Sequence, residues 1–83
     1  MSQRGIVSIV NEKSGMAAIQ LDDGSCTLVD LLGTEPVGVN DALEGELEVL
    51  GEETLLDKRS GRSIPVFIRA YQISLEAARD EMS

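Results

Sequence analysis

The chain has 83 residues and a net charge of −8, with no histidine and a single cysteine. A chain this short builds one modest core, so a second domain or a deep catalytic cleft is hard to fit. Without histidine the commonest general base and metal ligand is missing, and one cysteine allows neither an internal disulfide nor the usual structural zinc sites. The charge is unevenly placed. Residues 1–21 hold Arg4, Lys13 and Glu12; residues 22–57 carry eleven acids and no base; residues 58–83 carry five bases and three acids. Such an acidic middle either repels nucleic acid and anionic membranes at long range or simply keeps the domain soluble. No apolar run is long enough to span a bilayer and no secretory leader is evident, so a cytoplasmic location with no membrane partner is expected.

In chain order, Gly5–Val10 is rich in β-branched residues and reads as a first strand. Asn11–Gly15 is a turn, Met16–Leu21 a second strand, and Asp22–Ser25 a tight turn into a third strand, Cys26–Leu31. These three strands form a meander, and Cys26 reads as a small buried apolar residue. Gly33–Asp41, with Pro36, Gly38 and Asn40, is a loop with room for one helical turn. A fourth strand is expected from about Gly45 to Leu50, with Glu44, Glu46 and Glu48 facing out and Leu47 and Val49 between them; Thr54-Leu55-Leu56 could continue its pairing. Asp57–Arg62 is a polar hairpin tip, and Ile64–Ile73 the fifth strand. Ser74 suits a helix N-cap before a short helix over residues 75–82, whose Leu75, Ala78 and Met82 share one face. A helix this short forms only if that face docks; otherwise it is a frayed tail.

Five strands with a long connection after the third predict an all-β fold, a five-stranded OB-type barrel with a short C-terminal helix, as one domain over residues 1–83. The opening Gly5-Ile6-Val7-Ser8-Ile9-Val10-Asn11-Glu12-Lys13-Ser14-Gly15-Met16-Ala17-Ala18-Ile19 resembles that of the cold-shock domain family, of the type G-x-V-x-W-F-N-x-x-K-G-F-G-F-I. Gly5, Val7, Asn11, Gly15 and Ile19 match. Thr27–Leu31 resembles the family's V-F-V-H-F segment, and Leu43–Glu46 its L-x-x-G-Q. The resemblance implies a nucleic-acid scaffold, but the stacking rings are missing. Ile9 stands for Trp, Met16, Ala18, Leu28 and Leu31 for Phe, and Asp30 for His, while Ser14 replaces the lysine beside Lys13. Each stacked base contributes about 1–3 kcal/mol in such proteins, so ordinary cold-shock binding is not expected.

Ile9, Met16, Ala18, Leu28 and Leu31 are instead expected to form an aliphatic patch for protein contact, covered by the Leu75/Ala78/Met82 face of the same chain or of a dimer mate. In the competing reading several of them are ordinary core, with the alignment slipped by one residue, which would reverse every facing. The acidic fourth strand would set partner choice by charge. An alternative is weak single-stranded RNA or DNA binding through Lys13, the basic tip Lys58, Arg59 and Arg62, and the Phe67, Arg69 and Tyr71 row on the last strand, which alternation would place on one face. Asp22-Asp23 and Glu52-Glu53 lack the ligand spacing of a calcium loop, and no serine or threonine has a base partner. A non-catalytic binding module without a cofactor is therefore expected, with a protein partner, self included.

Overall fold

The computed structural model describes residues 3–33 and 37–82; residues 34–36 of the expected Gly33–Asp41 loop, Pro36 among them, lie outside it. The chain forms β1 (Gln3–Asn11), β2 (Met16–Leu21), β3 (Cys26–Leu31), β4 (Ala42–Gly45), β5 (Gly51–Asp57), β6 (Ser63–Ile73) and α1 (Leu75–Met82). The strands close into an all-β barrel in the order β1-β2-β3-β6-β5-β4, with every neighbouring pair antiparallel. This small closed antiparallel barrel is compatible with an OB-like architecture.

The barrel has six strands where the sequence predicts five. The difference lies in the expected Gly45–Leu50 strand, which is instead a connection between β4 and β5. A ring in which every neighbour runs antiparallel reverses direction at each step, so only an even number of strands closes it; five would require one parallel pair. Gly51, at φ 106, takes the left-handed backbone where β5 begins. Leu47 turns fully inward and plugs the barrel, whereas Val49 and Leu50 are exposed. The buried Thr27 hydroxyl donates to the Leu47 carbonyl at 2.8 Å, tying this connection to β3.

The barrel interior is aliphatic: Val7, Ala17, Ile19, Val29, Leu43, Leu47, Leu55, Ile64, Val66 and Ile68 fill it, with Val37 at one end. A second, smaller cluster lies outside the sheet. Met16, Ala18, Cys26 and Leu28 meet Ala78 and Met82 of α1, with Ile9, Ala70, Ile73 and Leu75 at its edge. The helix begins where expected, with Ser74 Oγ accepting from the Ala77 amide at 3.0 Å. It runs to the β1–β2 turn, where Asn11 Nδ2 donates to the Met82 carbonyl at 2.8 Å. No helix among the described residues is long and apolar enough to cross a membrane.

Candidate functional site

The outer face of β1–β3 is where the missing stacking rings would have stood. Strand alternation turns Ala17 and Ile19 into the barrel, so Met16 and Ala18 point out. The β2–β3 register sets Ala18 opposite Leu28, which faces out as well. Ile9 joins them through a register shift in β1 between Val7 and Ile9. Without that shift, Ile9 would follow Val7 inward; with it, Val10 takes the inward place. Leu31 does not join the patch. It lies three residues from Leu28, an odd spacing that sends it to the opposite face, and it packs on the barrel core. Met16, Ala18 and Leu28 are buried beneath α1 of the same chain. Cys26 is buried with them, and burial pushes its thiol pKa up.

The β1–β2 and β5–β6 turns sit at the same end of the barrel, because β1 and β5 both run antiparallel to β4. Lys13 and the Lys58–Arg62 tip are therefore at one end, but Lys58 and Arg62 each face a carboxylate of the chain. Burial alone would push the Asp57 carboxyl up. The Arg59 amide at 3.0 Å, the Ser60 amide and hydroxyl, and the Arg62 charge outweigh this and hold it below the ordinary range. Arg62 Nη2 lies 3.8 Å from Asp57, and Lys58 Nζ 3.6 Å from Glu44.

The Phe67, Arg69 and Tyr71 row is interrupted. Two register shifts against β3 flank the Leu28–Ala70 pair, and Ala70 packs with the helix cluster between Arg69 and Tyr71. Arg69 Nε bonds Asp30 at 2.6 Å, and Asp30 together with Glu81 keeps the guanidinium cationic.

Sequence reasoning missed a second outer face, formed by β3, β6 and β5. Phe67 stands opposite Asp30 on one side and Glu52 on the other. Pro65 pairs with Thr54 and accepts a backbone bond from Leu32 at 3.0 Å. Leu32, Leu56 and Phe67 are exposed here, at 52%, 38% and 41%. A groove lined by Leu32, Glu52, Glu53, Thr54, Pro65 and Val66 crosses it. The signal was present in β6 itself, since Ile64, Val66 and Ile68 facing inward force Pro65 and Phe67 outward.

No protein family, curated protein or solved structure matched the chain. The geometry of these two faces is therefore the ground for reading its function.

Proposed function

We propose that the chain is a small non-catalytic binding module on an OB-type, cold-shock-like scaffold, whose nucleic-acid face has been given over to apolar protein contact. The observation that carries this reading is the burial of Met16, Ala18 and Leu28 under the Ala78/Met82 face of α1. A face meant for bases needs exposed rings and free cations. Here aliphatic side chains at those positions hold a helix, and the Arg69 guanidinium is engaged by Asp30. The role of the face is then to receive an amphipathic helix, which this chain supplies itself. Contact with other proteins falls to surfaces the helix leaves open.

The test is an amide NMR titration of the full chain with short single-stranded RNA and DNA at low salt, where phosphate contacts are strongest. The expected result is no shift at millimolar oligonucleotide. Shifts clustered at residues 13–15, 58–62 and 67–71, abolished by Lys58→Glu with Arg59→Glu, would overturn the reading in favour of nucleic-acid binding.

A further inference from the structure

We infer that the outer face of β3, β6 and β5 docks a partner segment that carries apolar and basic side chains together. This deepens the reading of the chain as a protein-binding module and rests on it. The chain has one phenylalanine, and the barrel core contains no aromatic residue at all. Phe67 sits outside on the middle strand of this face, two residues from Pro65, whose carbonyl takes the Leu32 amide; Leu56 lies farther along the same face, opposite Ser63. A fold that fills its interior with aliphatic residues and leaves its phenylalanine in water has placed a large apolar surface where a partner can cover it.

The rim decides what kind of partner. Phe67 has a carboxylate-bearing neighbour on each flanking strand, Glu52 on β5 and Asp30 on β3. Asp30 already holds Arg69, while Glu52 has no cationic partner among the described residues. Glu53 lines the adjoining groove. A phosphate-bearing ligand would be repelled here, and so would a second copy of the chain, which brings the same acids to the contact. Lysine or arginine on the partner would meet these carboxylates, and a cation over the Phe67 ring gains from the ring's negative face. β6 is paired on both sides, with β3 and with β5, so the strand that carries Phe67 offers no free edge and the segment lies on the face, along the groove beside Thr54 and Pro65.

The experiment is an amide NMR titration of the full chain with a short amphipathic leucine/lysine peptide and with its leucine/glutamate counterpart. The expected result is saturable shifts at Leu32, Glu52, Thr54, Leu56 and Phe67 with the lysine peptide only. Phe67→Ser should weaken its binding at least tenfold, and Glu52→Lys should weaken it too. Leu32→Ser, at the more exposed position, should weaken it as well, and both serine variants should keep the parent's amide spectrum away from this face. Shifts confined to the acidic turns at Asp22-Asp23 and Glu46–Glu48, unchanged by Phe67→Ser, would reduce the effect to bulk charge attraction and overturn the inference. Absence of binding by either peptide would overturn it as well, while leaving the helix-covered face as described. Single-stranded oligonucleotide shifting the same residues would defeat both this inference and the binding-module reading beneath it.

Discussion

The molecule holds two apolar clusters that differ in how they are closed. The barrel interior is enclosed on all sides by hydrogen-bonded strands, so its residues leave only when the ring opens. The cluster on the outer face has a sheet floor, but its roof is a single helix of eight residues, Leu75–Met82. A helix that short has no independent stability and is held by its docked face, its Ser74 cap and the Asn11 bond at its far end. The outer cluster should therefore open locally while the barrel stays folded, since free energies of local opening range well below that of global unfolding.

Leu43→Ala should show the largest effect. Leu43 is fully buried in the barrel, and such truncations cost about 2–5 kcal/mol. Chemical denaturation should show a lower midpoint, while the rate at which Cys26 reacts in native buffer, set by local opening of α1, should stay that of the parent. Ala78→Asp comes next, because it puts a carboxylate into the outer cluster where Ala78 is fully buried. Helix release is the cheaper escape, so Cys26 should react quickly with a thiol reagent in native buffer while the amides of Val7 and Ile68 stay protected from exchange. If those amides lose protection together with Cys26, the two clusters form one cooperative unit and the comparison fails.

The smallest effect should come from Asp57→Asn. Its carboxyl is held below the ordinary range, so it favours the folded state above the unfolded-chain pKa, and that contribution is lost as pH falls through the folded value. Removing it should lower stability near neutrality and flatten the acid limb of the stability–pH curve below about pH 4. Docking of α1, read by Cys26 reactivity, should not change. A shift in that reactivity would mean that the tip of the β5–β6 hairpin and the helix communicate.

The five residues that carry the cold-shock resemblance all serve the scaffold. Val7 and Ile19 fill the barrel. A methyl group at Gly5 would lie 2.5 Å from Ile19 Cγ2 and 3.1 Å from the Gln20 carbonyl, so the strands could not approach as they do. Gly15 sits at φ 71 in the turn, and Asn11 Oδ1 accepts from the amides of Lys13 and Ser14. That is why the meander was legible in the sequence, while the helix was legible from its Ser74 cap and its Leu75, Ala78 and Met82 face. The fourth strand was not, because the Glu/Leu alternation of residues 44–49 imitates a strand while its backbone is spent on reversing direction. Leu31 was assigned to the wrong side because a family position was carried over without counting parity from Leu28. The face around Phe67 is not local in sequence because Leu32, which follows β3, is brought beside Pro65 only by the β3–β6 pairing.

β4 has four residues, and it meets β5 through only two register pairs, Leu43 with Asp57 and Glu44 with Leu56. That seam is the shortest in the ring, and the other side of β4 is all that covers the outer edge of Gln3–Ile6. A closed barrel hides every strand edge from other molecules. Release of β4 from β1 would uncover the backbone edge of Gln3–Ile6, where only Arg4 is charged, as a template for intermolecular pairing. The chain's resistance to aggregation therefore depends on its smallest strand more than on its largest core.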